Sequence, residues 1–370
     1  MKILIINQHP QDVIGGSEIQ CDLVATYLHR FGHEVLYGAV NSRRDNYKIE
    51  YDLVPLNNPF VVSYIKLIKD LRPHIVYWRF GKKHLFTAAL ISKFYKAKFI
   101  FTVSAYSSTE RWIAEGTRVF PYKLPLKRNG WKLKNIVKVA LFLKRPIISA
   151  WNYNGFYFVD ACVTVNSDFL GKLPIKLQIA IHNSMQTKYK PFAWNKPYVV
   201  WVANIKTKKN PEKFIKLAER FNESDVDFLM IGSIQAARYA YIRNSDQVPR
   251  NFHYLGPKSP EEVNGILKSS LFLIHTCDPE CFCGNFIQAW SQGKPTISLY
   301  FDPESIIKNN QLGYVSGSLD QMVRDVEKLI EDRQLCTEIG ERAKSFAKQH
   351  FDPESNIREL ERFLIGISNE

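Results

Sequence analysis

The 370-residue sequence holds no apolar run long enough to span a membrane and no low-complexity tract, which sets aside transmembrane and disordered classes. The apolar stretch from Ile3 to Ile6 is too short for a signal peptide and runs straight into Asn7-Gln8-His9-Pro10, so a cytoplasmic location is expected. Cysteine is sparse: there are six, of which Cys277, Cys281 and Cys283 fall together as C-x3-C-x-C. That spacing matches no standard zinc pattern, so no metal is expected, and the thiols read as reduced, small apolar fillers.

Acid is sparse too, but only in one half. Residues 1–190 carry 28 Lys and Arg against 12 Asp and Glu, whereas residues 191–370 carry 22 against 24. Acid is absent from 118–145, where Arg118, Lys123, Lys127, Arg128, Lys132, Lys134, Lys138, Lys144 and Arg145 interleave with Trp131, Leu133, Ile136, Val137 and Leu141. An anionic membrane surface suits such a basic amphipathic stretch, each cation adding about 1 kcal/mol near the surface. A solvated helix packed on its own domain is the other reading. Nucleic acid is not an expected partner, because no nucleic-acid module is recognisable and the aromatics are not spaced as a stacking array.

What is present is a globular composition, 45% apolar and 23% charged, on a chain long enough for two domains with separate cores. The first half alternates short apolar runs with helical patterns, as a parallel sheet covered by helices does. Strands are expected at Lys2–Asn7, Glu34–Val40, His74–Tyr77, Lys98–Val103, Ala161–Val165 and Gln178–Ile181. Gly15-Gly16-Ser17-Glu18 opens a helix over Ile19–Arg30 directly after the first strand. A second series runs through Tyr198–Ala203, Phe228–Ile231, Phe252–Leu255, Leu271–His275 and Thr296–Leu299, with the polar segment Gln186–Pro197 read as the linker. The pentapeptide Phe-Asp-Pro-Glu-Ser occurs at 301 and at 351, and both copies read as helix starts with Asp as cap and Pro in the first turn.

The most informative stretch is Pro279-Glu280-Cys281-Phe282-Cys283-Gly284-Asn285-Phe286-Ile287-Gln288-Ala289-Trp290, closed by Gly293-Lys294-Pro295. An acid in a loop is followed by a glycine and then by apolar residues at helical spacing. The amides of Gly284 and Asn285 become the free donors of a helix N-terminus, which attract phosphate. Gln288, one turn in, is within reach of a ribose.

This stretch resembles the signature of GT-B glycosyltransferases of family 4: Glu, seven residues, Glu, then Ala and Gly-x-Pro. The resemblance implies an α/β fold of two Rossmann-like doubly wound domains facing a central cleft. Its boundaries here would be 1–185 for acceptor binding, 186–350 for the nucleotide sugar, and 351–370 for a terminal helix crossing back. It implies that Glu280 contacts the transferred sugar and Gln288 the ribose, and it places Cys283, Gly284 and Asn285 in donor binding. Ala203-Asn204-Ile205-Lys206-Thr207-Lys208-Lys209-Asn210-Pro211 resembles the family's Gly-Arg…Lys-Gly turn, which assigns the diphosphate to Lys209 and a donor contact to Asn204. Gly15 and Gly16 resemble the N-terminal glycine loop, Ile181-His182-Asn183-Ser184 the hinge, and backbone near Phe252 and His253 the base contact.

Three departures stand out: Gln288 replaces the second acid, Asn204 an arginine, and Ser104 the histidine that often faces the sugar. Ser104 is carried forward as a catalytic position, with His9 and His84 as spare imidazoles. The implied activity is metal-independent, retaining transfer of a hexose from a nucleoside diphosphate to a glycan or lipid-linked acceptor, with no further cofactor. A nucleotide-sugar-binding protein with weak or lost transfer is the first alternative, given those departures. A GT-B sugar-nucleotide epimerase is the second, although the further acids and histidines it needs are not seen.

Overall fold

The computed structural model describes residues 1–13, 15–43, 46–113 and 144–369. Most of the basic stretch 118–145 therefore lies outside the described residues; Lys144 and Arg145 are exposed. The chain divides into unit 1, Met1–His182 with Glu354–Glu370, and unit 2, Asn183–Pro353.

Unit 1 is built on a parallel sheet of seven strands: β1 Lys2–Asn7, β2 Glu34–Val40, β3 Asp52–Leu56, β4 Ile75–Trp78, β5 Lys98–Val103, β6 Ala161–Thr164 and β7 Leu177–Ala180, in the order β3-β2-β1-β4-β5-β6-β7. Its helices are α1 Gly16–Arg30, α2 Phe60–Leu71, α3 Leu85–Phe94 and α4, residues 144–153. Unit 2 carries six parallel strands: β8 Tyr198–Val202, β9 Asp227–Ile231, β10 Phe252–Gly256, β11 Leu273–His275, β12 Thr296–Ser298 and β13 Gly313–Val315, ordered β10-β9-β8-β11-β12-β13. Its helices are α5 Pro211–Arg220, α6 Pro260–Ser269, α7 Gly284–Ser291, α8 Ile306–Asn309, α9 Leu319–Glu331 and α10 Arg333–His350. The last helix, α11 Pro353–Asn369, buries Ile357, Leu360, Leu364 and Ile367 in the unit 1 core. Arg358 stacks on the Phe31 ring, and Glu361 meets His33 at 2.7 Å.

The strands expected from apolar runs are present, because parallel strands are covered on both faces and read as continuous hydrophobic runs. The two that the runs did not signal, β3 and β13, are sheet edges with half-exposed residues. The segment expected to be a linker is instead strapped to unit 2. Asn264 donates to the Gln186 and Lys188 carbonyls at 2.9 and 2.8 Å, and Trp194 donates to Asp227 at 2.8 Å. Gly265 in α6 permits this: a Cβ there would collide with the Lys190 carbonyl.

The two pentapeptides diverge. At 353 the proline opens α11 directly. At 303 it opens a short 3-10 turn, and Asp302 reaches past it to accept from the amides of Ile307 and Lys308 at 2.8 and 3.2 Å. No described helix is long and apolar enough to cross a membrane.

Candidate functional site

Doubly wound sheets bind ligands beyond the carboxyl ends of their strands, where the strand order reverses. In unit 2 the chain lays β9 and β10 on one side of β8 and then returns to place β11 on the other. The loops leaving β8 and β11 therefore meet at the switch point, and these are the loops of Lys209 and Glu280.

Both loops are braced before any ligand is considered. Asn210, in a left-handed conformation at φ 46°, donates to the Thr276 carbonyl at 3.1 Å and to the Asp278 carboxylate at 2.8 Å. The single Thr276 hydroxyl proton lies between the carbonyls of Lys209 and Asn210, at 3.0 and 3.1 Å, and the oxygen accepts from the Trp201 indole at 2.9 Å. The Asp278 amide closes the join on the Lys208 carbonyl at 2.9 Å. On the third loop, Gly232 at φ 144° presses against Ala203 and Asn204, where a Cβ would collide with the Ala203 carbonyl.

Held this way, the Lys209 ammonium bonds the Glu280 carboxylate, with only 14% and 30% of the two side chains exposed. Burial alone would lower the ammonium; the Cys277 sulfur and the Glu280 carboxylate outweigh it and hold Lys209 above the ordinary lysine range. Burial pushes the Cys277 thiol up to about 12, so at neutral pH it is uncharged and Glu280 is the effective counter-ion. Burial would likewise raise Glu280, but Lys209 overrides it and keeps the carboxyl below the usual range.

Behind Glu280 lies a chain of buried polar groups, Ser298, His275 and Cys283, of which only Cys283 is a candidate from the sequence, and its thiol faces His275. Ser298 donates to the Phe301 carbonyl at 2.6 Å, so toward His275 Nδ1, at 3.2 Å, it can only accept. His275 thus carries its proton on Nδ1, and its Nε2 accepts the Cys283 thiol at 3.1 Å. Cys283 has one proton, so Glu280 Oε2, 3.6 Å from the same sulfur, receives none from it. Burial, reinforced by the nearby Lys209 charge, drives His275 down to about 3 and leaves it a neutral imidazole.

α7 starts at Gly284 with no side-chain cap. Among the described residues no acceptor takes the amide protons of Gly284 or Asn285. Asn285 is fastened by its side chain to the Val202 carbonyl at 2.7 Å. Lys209, Glu280, Cys283, Gly284 and Asn285 thus come together. Asn204 lies on the same side of the sheet, and its side chain makes no hydrogen bond among the described residues.

Two expectations shift. Gln288 is buried and donates to Asn264 Oδ1 at 3.1 Å, the same asparagine that holds the 186–188 strap. Phe252 and His253 lie at the start of β10, the opposite end of the sheet. The first is core, and the second pairs with Asp227 at 3.4 Å. The end of β10 on the site's side is Gly256, at φ 72°.

Unit 1 has its own switch point, between β1 and β4. Gly15 precedes α1 with the Glu18 carboxylate folded over it, so a Cβ there would only push that flexible side chain aside; Gly16 is open. Asn7 ties the end of β1 to Ser17 at 3.2 Å. Arg79, buried just after β4, acts on Glu18 by its charge and was not singled out by the sequence pattern. Ser104 follows β5 at the same end and makes no hydrogen bond among the described residues. The spare histidines are structural: His9 is buried against Tyr51 at 3.0 Å, and His84 stacks on Phe60 at 4.6 Å.

Comparison with known proteins follows the same division. Residues 186–346 match the family described as Glycosyl transferases group 1. No curated protein matches the chain by sequence. Among solved structures, HepE from Anabaena in complex with UDP-glucose aligns with a TM-score of 0.71 at 14% identity, over 99% of this chain and 100% of that one. Sucrose-phosphate synthase from Thermosynechococcus elongatus aligns at 0.76 and 10% identity, over 99% of each. WaaG, a glycosyltransferase involved in lipopolysaccharide biosynthesis, aligns at 0.69 and 12%, over 99% of this chain and 100% of that one. Identities this low carry the fold alone, and all three alignments run the length of the chain.

Proposed function

We infer a nucleotide-sugar-dependent, retaining glycosyltransferase from the match of residues 186–346 to the glycosyl transferases group 1 family together with the GT-B fold of the whole chain. The observation that carries the reading is the Lys209–Glu280 pair beside the uncapped start of α7, at a sheet switch point. The donor diphosphate is assigned to the Gly284 and Asn285 amides and the Lys209 ammonium. As the diphosphate takes up Lys209, Glu280 loses its counter-ion and gains the sugar hydroxyls as donors.

When the bond from anomeric carbon to phosphate oxygen breaks, both of its electrons stay with the diphosphate. The acceptor hydroxyl bonds to the same face of the carbon, and its proton passes to the departing phosphate oxygen. The charge on the nucleotide grows through this step, and Lys209 and the helix amides stand where it grows. No residue of the chain has to shuttle the proton, which is consistent with Ser104 in place of an imidazole.

The sugar is proposed to be a hexose and the acceptor a glycan or lipid-linked saccharide of the cell surface, reached from the cytoplasmic side of an anionic membrane. UDP-glucose is the first donor to try, since HepE was crystallised with it. Isothermal titration with UDP, GDP and UDP-glucose tests the assignment. At least one must bind wild type, and Lys209→Ala must weaken it tenfold or more; binding unaffected by that change would reject it.

The second reading, a nucleotide-sugar-binding protein without transfer, draws on the Gln288 amide already committed to Asn264. Donor binding with neither transfer nor donor hydrolysis, over a panel of acceptors, would favour it.

A further inference from the structure

On unit 1, α3 and α4 share an apolar face edged with cations, and we propose that this face docks the protein on an anionic lipid bilayer. Phe86, Leu90 and Phe94 recur every four residues and form one stripe of α3. Leu90 is 43% exposed and Phe94 80%. On α4, Ile147, Ile148 and Trp151 are 65%, 45% and 58% exposed. The stripes join where the Phe86 and Trp151 rings meet at 4.7 Å. The join is rigid, because Gly155 brings the turn after α4 against the α3 backbone, where a Cβ would stand 2.6 Å from the Phe86 nitrogen. Exposed apolar side chains are ordinary when scattered; a connected set on two interlocked helices marks a contact surface.

The charge identifies the occupant. Segments 80–109 and 144–159 contain no Asp or Glu at all. Lys93, Lys96, Lys144 and Arg145 are exposed in those same segments. Rings that sink into the headgroup layer while ammonium groups reach lipid phosphates fit this pattern. With no described helix able to cross the bilayer, the attachment is peripheral. The docking does not rest on the transferase reading: it needs no nucleotide, so either idea can fail while the other stands.

Flotation with phosphatidylcholine vesicles, with and without phosphatidylglycerol, tests it. Wild type should float with the anionic vesicles at low salt and stay behind with the neutral ones. Phe94→Ser with Trp151→Ser should lower the partition roughly tenfold or more, and Lys93→Ser or Lys144→Ser about fivefold each. Phe94→Ser alone removes so exposed a ring that folding is untouched, and it should still weaken binding. Brominated lipid should quench more emission in wild type than in Trp151→Phe. Absence of flotation, equal flotation of wild type and Phe94→Ser, or quenching that ignores Trp151 would overturn the proposal. So would sedimentation showing a dimer that Phe94→Ser dissolves, which would assign the face to a second copy.

Discussion

Each unit opens a helix beside a carboxylate and a buried cation at its own sheet switch point, yet the two carboxylates behave oppositely. Glu280 bonds the Lys209 ammonium directly and is held below the usual carboxylate range against its burial. Glu18 folds over Gly15 and is raised: burial outweighs its own amide and the Arg79 charge. Contact, rather than the mere presence of a cation, decides whether a buried acid keeps its charge. Unit 2 therefore holds a ready ion pair that an anionic ligand can break open, whereas unit 1 holds an acid that gives up its charge more readily and a helix start it partly covers.

The strongest way to break that contrast is to remove the pair. Lys209→Ala and Glu280→Ala should each lower transfer by about a hundredfold to a thousandfold or more, whereas Glu18→Gln should leave it within about tenfold. Steady-state kinetics on all three variants decides; comparable losses at positions 18 and 280 would erase the distinction between the units.

The buried imidazole behind Glu280 gives the next largest effect. His275 titrates near 3 in the folded chain against an ordinary 6.5, so below pH 6.5 the unfolded chain takes up a proton that the folded one refuses. Stability must then fall as pH drops, by about 2 kcal/mol between pH 7 and pH 5. The depressed Glu280 adds in the same direction, at lower pH. Urea unfolding at both pH values should show the difference shrinking by about that amount in His275→Gln, and an unchanged difference would mean that the ring is already charged.

Cys283 sharpens the same point. Cys283→Ala leaves His275 Nε2 buried without a donor and should cost about 1–2 kcal/mol, whereas Cys283→Ser keeps a donor and should cost less. Equal losses by urea unfolding would show that the thiol serves packing only. The smallest effect is expected in unit 1: Ser104→Ala should change kcat/KM for the donor by about fivefold at most, because one neutral hydrogen bond is worth about 1 kcal/mol.

How far the sequence could be read depended on what each feature encodes. Central strands such as β1, β5 and β8 announced themselves because both faces are buried. β3 and β13 did not, because the first is mostly exposed and interrupted by Pro55 and the second is only three residues long. Lys209, Glu280 and Gly284 were visible through motif spacing, and the structure brings them to one place. Phe252 and His253, expected near the base, lie at the start of β10, and Gln288, expected within reach of a ribose, is buried and donates to Asn264. Arg79, Thr276 and His275 gave no local signal, since each matters only through a neighbour distant in sequence.

By itself the sequence determined the local choices: which stretches are extended or helical, where glycine and proline interrupt them, and that basic charge gathers in the first half. Those follow from side-chain period and backbone sterics within a few residues. Only the tertiary structure decided that β11 returns to the side of β8, and with it that an ammonium at 209 meets a carboxylate at 280. The pairing of strands far apart in the chain is a property of the whole sheet and is written in no single segment.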